Sequence, residues 1–146
     1  MKKILFVCAG NTCRSPMAEA VAKNIIKEKD IKNIRVSSAG ISANPMQHVS
    51  VNAKKALKLA GINFVHKARL LNEAMIRQND IVLTMTAEQK AAYCKFPNVF
   101  SVKEFTGLND ILDPYGKDLK VYIETLNEIK KAVNIVIEKI EKQNSY

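Results

Sequence analysis

Ile4-Leu5-Phe6-Val7-Cys8-Ala9-Gly10-Asn11-Thr12-Cys13-Arg14-Ser15-Pro16 reads as a strand, a tight turn and the start of a helix. Consecutive apolar residues suit a strand covered on both faces, as in a parallel sheet, and Lys2–Val7 is assigned to it. Gly10 supplies backbone freedom to the turn, and Asn11 tolerates left-handed dihedrals. Ser15 is placed to cap the helix and Pro16 suits its first turn. Ser15–Glu28 then carries Met17, Val21 and Ile25 on one face.

Downstream the pattern repeats. Ile34–Ser38 reads as a strand and Val51–Leu59 as a helix stopped by Gly61. Asn72–Arg77 is a short helix. Asp80–Met85 repeats the buried-strand signature through Ile81, Val82 and Leu83. Ala87–Lys95 is helical and closed by Pro97, and Val99–Val102 is a fourth strand. Leu119–Lys142 is the longest helix, with Tyr122, Leu126, Ile129, Val133, Val136 and Ile140 at three- and four-residue steps. Strands alternating with helices predict an α/β fold. The expected architecture is a single domain over 1–146: a four-stranded parallel sheet flanked by helices, with a phosphate-binding loop after the first strand. In such sheets ligands sit at the carboxyl ends of strands, at a switch point. A flavodoxin-like fold is the structural alternative, but the loop lacks the aromatic walls a flavin needs.

Composition narrows the function. The net charge is +9, which favours anionic substrates. The lysines are spread thinly, without basic runs or interleaved aromatics, which argues against nucleic acid. No apolar run approaches the ~18–20 residues that span a bilayer. The three cysteines are an odd count in a chain long enough to bury a core, and no signal peptide is evident, so a disulfide framework is not expected. Zinc is not expected either, given the absence of a C-x2-C pair and the two scattered histidines. The expectation is a cytoplasmic monomer with no metal, no cofactor, and no membrane or nucleic-acid partner.

Cys8 and Arg14 carry the chemistry. A free thiol has a pKa near ~8.5, and a helix N-terminus or neighbouring cation lowers it; a thiolate at Cys8 is therefore expected. Ala9, Gly10, Asn11, Thr12 and Cys13 can turn backbone N–H groups inward as an anion nest, backed by the helix N-terminus. Arg14 offers a planar fork matched to two phosphoryl oxygens. The Ser15 hydroxyl is placed to stabilise sulfur as a leaving group. The bland alternative is a buried cysteine in a tight strand-to-helix turn.

The motif V-C-x-G-N-x-C-R-S-P (Val7 to Pro16) resembles the low-molecular-weight protein tyrosine phosphatases. Two further elements agree: Asp113-Pro114-Tyr115-Gly116, and His66-Lys67-Ala68-Arg69, which is similar to the family's H-x-A-R segment. The resemblance spans nearly the whole chain and implies phosphorylated proteins as substrates. It implies that Asp113 is the general acid, with Pro114 stiffening its loop and Asp110 as the fallback. It also implies a hydrogen-bond network of Asn11, Ser15, Ser38 and His66 beneath the loop. His48 matches nothing and is expected in solvent. Thr12 stands where the tyrosine phosphatases carry a bulky aliphatic residue. That departure resembles the bacterial members acting on phosphoarginine, and the reading leans to phosphoarginine over phosphotyrosine. Tyr115 is a candidate cleft wall for either substrate.

Cys13 has two readings. It is a small apolar filler, or a redox partner that pairs reversibly with Cys8. Cys94 reads as packing. Two rival functions remain. A thiol-dependent arsenate reductase shares the fold but uses two further cysteines, and here only Cys94 lies downstream. A non-catalytic anion-sensing module would have no use for Asp113.

Overall fold

The structure is a computed structural model and describes residues 1–144; the last two residues of the expected 1–146 domain lie outside the described residues. Four strands, β1 (Lys2–Cys8), β2 (Ile34–Gly40), β3 (Ile81–Thr84) and β4 (Val99–Ser101), form one parallel sheet in the order β2-β1-β3-β4. The helices are α1 (Arg14–Glu28), α2 (Val51–Leu59), α3 (Glu73–Gln78), α4 (Ala87–Ala91), α5 (Val102–Thr106) and α6 (Leu119–Asn144). The single-domain α/β architecture read from the sequence is the one observed.

Alternation along β1 builds two cores, because successive side chains face opposite sides of a sheet. Ile4, Phe6 and Cys8 pack with α1, α2 and α6. Leu5 and Val7 pack on the other face with Ala39, Ile76, Val82 and Phe96. That two-sided burial is why β1 has no polar residue between Ile4 and Val7. On α6 all six residues of the expected stripe are buried. β1 is central, and the chain turns to β2 on one side and to β3 and β4 on the other. The carboxyl end of β1 is therefore the switch point, and Cys8 stands on it. No helix among the described residues is long and apolar enough to cross a membrane.

Some boundaries differ from the sequence reading. α1 begins at Arg14, and Cys13 flanks it without a side-chain cap. Ser15 lies inside the first turn and caps nothing, because its hydroxyl is engaged by Cys8 and Asn11. α4 ends at Ala91, and residues 92–95 form turns. Tighter bonds, Tyr93 N–H to Lys90 O and Phe96 N–H to Tyr93 O, bring Phe96 down into the second core. Cys94 is exposed on this turn, so it is not a packing residue. Val102 is not the end of β4 but the first residue of α5. Ser101 and Glu104 form a reciprocal capping box there, and Gly107 ends the helix at φ +79°.

Candidate active site

Cys8, Ala9, Gly10, Thr12, Cys13, Arg14, Asp113 and Tyr115 converge on one cleft of about 250 Å³, joined by Ser42 and Gln47. Cys8 comes from the end of β1, Arg14 from the start of α1, and Asp113 from the loop before α6. The Cys8 Sγ is 2.9 Å from the Ser15 Oγ. Asn11 takes the left-handed conformation, φ +56°, as its residue type allows. Gly10 does not: its φ is not positive, and a Cβ there would meet only the Thr12 Oγ1 at 3.6 Å. The freedom assigned to Gly10 is therefore not what bends the loop.

The Asn11 side chain turns beneath the loop rather than into the cleft, and the residue is fully buried. Its Nδ2 donates to Ser15 Oγ (2.8 Å) and Ser38 Oγ (3.0 Å). Its Oδ1 accepts from His66 Nε2 (2.7 Å) and from the Arg69 N–H (2.9 Å). Ser38 donates onward to Glu19 Oε1 at 2.6 Å. The four residues of the expected network are thus in contact with one another through Asn11. Since Ser15 Oγ accepts from Asn11, its own hydrogen is left for Cys8 Sγ or, at 3.4 Å, the Ala39 carbonyl. A loop in a sparsely populated conformation persists only when its surroundings over-determine it, and every polar atom of the Asn11 side chain is spoken for.

Glu19 was not singled out in the sequence. It is a buried carboxylate that receives Ser38, the Lys23 ammonium at 2.6 Å, and faces His66 Nδ1 at 3.8 Å. Burial lowers the His66 pKa; Glu19 opposes that, while Arg69 and Lys23 add to it. Donation to Asn11 Oδ1 places the proton of the neutral ring on Nε2. His48, by contrast, is exposed.

Arg14 is buried and held from outside the cleft. Its Nη1 donates to the Ile111 carbonyl at 2.9 Å, and its Nη2 is 3.6 Å from Asp113 Oδ2. The guanidinium is thereby aimed by the same loop that carries Asp113. Asp113 Oδ1 accepts the Tyr115 N–H at 3.0 Å, and Lys117 N–H closes a turn onto Pro114 O at 2.9 Å. Gly116 sits at φ +79°, as the third position of such a turn requires. The Asp113 side chain is half exposed at the cleft mouth. Asp110 points elsewhere, capping the Ala87 N–H at 3.2 Å, so the fallback acid is not in the cleft. Tyr115 is exposed at the rim.

The Cys8 thiol departs from expectation. Enclosure of the sulfur pushes its pKa up; the Ser15 hydroxyl, the backbone N–H groups of Ser15 and Asn11, and Arg14 pull it down without reversing the shift. Desolvation penalises the charged form, a cost set by burial that a sequence does not display. Cys13 is buried as well. It donates to Ser50 Oγ and lies 3.3 Å from the Tyr122 hydroxyl. Burial pushes Tyr122 up to about 12, so it stays protonated and donates to the sulfur.

Gly40 is a site residue that the sequence reading passed over. A Cβ on it would lie 2.5 Å from the Ala9 carbonyl oxygen and 2.8 Å from the Asn11 nitrogen. The loop's back therefore rests directly on β2, tied by Ile41 N–H to Cys8 O and Ser42 N–H to Ala9 O. Its only signal in the sequence is a glycine ending a strand, which usually marks close backbone approach.

Comparison with known proteins agrees with this geometry. Residues 3–146 match the family model described as low molecular weight phosphotyrosine protein phosphatase. The protein-arginine-phosphatase of Bacillus subtilis is 36% identical over 146 residues, covering 95% of this chain and 97% of that protein. The low molecular weight protein-tyrosine-phosphatase PtpB of Staphylococcus epidermidis is 35% identical over 144 residues, covering 90% and 94%. A solved arginine phosphatase, a cysteine-to-serine variant with its active-site serine phosphorylated, superposes with a TM-score of 0.89 at 35% identity, covering 96% of each chain. The chain belongs to the low molecular weight phosphotyrosine protein phosphatase family and is a cysteine-dependent protein phosphatase.

Proposed function

We propose that Cys8, Arg14 and Asp113 hydrolyse phosphorylated protein side chains in two displacements, with phosphoarginine preferred. In the first, the Cys8 thiol passes its proton to a phosphoryl oxygen of the bound substrate, and Sγ bonds to phosphorus while the bond from phosphorus to the leaving nitrogen or oxygen breaks. Asp113 gives its proton to that leaving atom. In the second, water attacks phosphorus, the S–P bond breaks, and Asp113 takes the water's proton. Arg14 and the inward N–H groups of residues 9–14 carry the equatorial charge in both steps, which preorganised donors do without reorganisation. Ser15, at 2.9 Å from the sulfur, donates to the departing thiolate. The observation that carries this reading is the single cleft bounded by Cys8, Arg14 and Asp113, with Arg14 and Asp113 3.6 Å apart.

The substrate preference rests on Thr12. It lines the cleft, and it offers a small polar wall where an aryl ring would want apolar surface. Likeness to the Bacillus protein-arginine-phosphatase supports the same choice, although the Staphylococcus tyrosine phosphatase is nearly as similar. The test compares kcat/KM for phosphoarginine and phosphotyrosine peptides of one sequence, in the parent and in Thr12→Ile. The parent is expected to favour phosphoarginine. The substitution is expected to move the ratio about tenfold toward phosphotyrosine, the worth of one hydrophobic contact. An unchanged ratio, or a parent that favours phosphotyrosine, overturns the preference.

A further inference from the structure

Arg14 and Asp113 line a second cleft besides the one that holds Cys8. It is about 460 Å³ and is bounded by Ile41, Ala92 and Leu112 with Glu88 at its edge. Leu112 is 75% exposed, a large apolar side chain left in water directly beside the proposed acid. Ala92 and Glu88 are exposed on and after α4. Glu88 has no ion-pair partner among the described residues, and the neighbouring Lys90 is engaged by Glu104 at 3.1 Å. In a chain of net charge +9 this leaves Glu88, besides the Arg14-paired Asp113, as a negative point beside the apolar side of the trough.

We propose that this second cleft binds the polypeptide flanking the phosphorylated residue, taking an apolar side chain against Leu112, Ile41 and Ala92 and a cationic one against Glu88. The inference rests on the protein-phosphatase reading and extends it to substrate sequence. Continuity carries it. A side chain reaching Cys8 lies against Arg14 and Asp113, which line both clefts and so join the trough to the cleft of Cys8. Main chain lying across the mouth therefore delivers its next side chains there. The trough collects apolar area and a charge complement at the site where extra binding distinguishes one protein from another.

The test uses the full chain and three substrates. Two are peptides with the same phosphorylated residue flanked on both sides by Leu-Lys or by Ser-Glu; the third is p-nitrophenyl phosphate, which has no flanks. The parent is expected to favour the Leu-Lys peptide about tenfold in kcat/KM, the worth of roughly one partly buried leucine. Ala92→Arg, which fills the trough from the α4 side, is expected to reduce that preference to about twofold or less. Glu88→Gln is expected to remove about threefold of it, as for an exposed ion pair. Both variants should hydrolyse p-nitrophenyl phosphate as the parent does. A parent that cleaves the two peptides equally, or variants that slow p-nitrophenyl phosphate as much as the peptides, overturns the proposal. Failure of the parent to hydrolyse p-nitrophenyl phosphate would instead refute the phosphatase reading beneath it.

Discussion

Replacing Gly40 by alanine adds one carbon where the molecule has no room. That carbon would stand 2.5 Å from the Ala9 carbonyl oxygen, 0.5 Å inside the 3.0 Å limit that real Cβ atoms keep, and 2.8 and 2.9 Å from two atoms of Asn11. The strand cannot retreat easily. Gly40 N–H is bonded to Arg69 O at 2.9 Å, and Gly40 O accepts Leu71 N–H at 2.8 Å. The 8–14 loop must therefore move, carrying Cys8 away from the line of attack. Overpacking of this kind costs about 1–3 kcal/mol of stability. A displacement on the order of 1 Å at a reacting centre costs about 10²-fold in rate. Gly40→Ala should thus remain folded at room temperature while kcat for p-nitrophenyl phosphate falls about a hundredfold. Gly10→Ala is the control, since its Cβ meets only Thr12 Oγ1 at an ordinary 3.6 Å, and it should stay within a few fold of the parent. Urea unfolding and steady-state kinetics on both proteins decide the matter. A Gly40→Ala enzyme with parental kcat, or one no more impaired than Gly10→Ala, refutes the claim that β2 props the loop.

Asp113→Ala should lower kcat on phosphorylated peptides by about 10²–10⁴-fold, the usual worth of a positioned acid; a loss under threefold would remove Asp113 from the reaction. His66 sets a pH dependence of stability. Its folded-state pKa lies below its unfolded value of about 6.5. The unfolded chain therefore binds the proton first as pH falls, so the stabilisation is full above about pH 6.5 and is lost from there towards the folded-state pKa. Urea unfolding from about pH 7.5 to about pH 5.5 should show a shallower fall for His66→Gln than for the parent, and parallel curves would contradict this.

Much of this was legible in the chain. β1 reads as doubly buried because nothing polar interrupts Ile4 to Val7, and α6 reads correctly because its stripe is long and regular. Cys8 and Arg14 were legible because a cysteine and an arginine in a strand-to-helix turn are chemically unusual, whereas Asp113, in an Asp-Pro pair of the kind ordinary turns favour, was legible only through the family resemblance. Other features were written in shorter signals. α5 was missed although Ser101-Val102-Lys103-Glu104 is a capping-box pattern, because two strand-like residues, Val99 and Phe100, precede it. α4 was read too long because Phe96 is drawn into the core by tertiary packing, which local propensity does not record. Gly40 and Glu19 were missed for a common reason: each acts on a partner far along the chain, Ala9 and Ser38, and no local pattern announces it. The Cys8 thiol was misjudged because sequence displays the groups that attract negative charge and hides the burial that opposes it.

The proposed mechanism requires the group at position 8 to take the phosphoryl group. The direct test incubates the Cys8→Ser protein with a phosphorylated peptide and maps any transferred phosphoryl group by mass spectrometry. Turnover should be abolished, and the only modified peptide should be the one containing position 8. Undiminished turnover, or a phosphoryl group carried on any other residue, would contradict it.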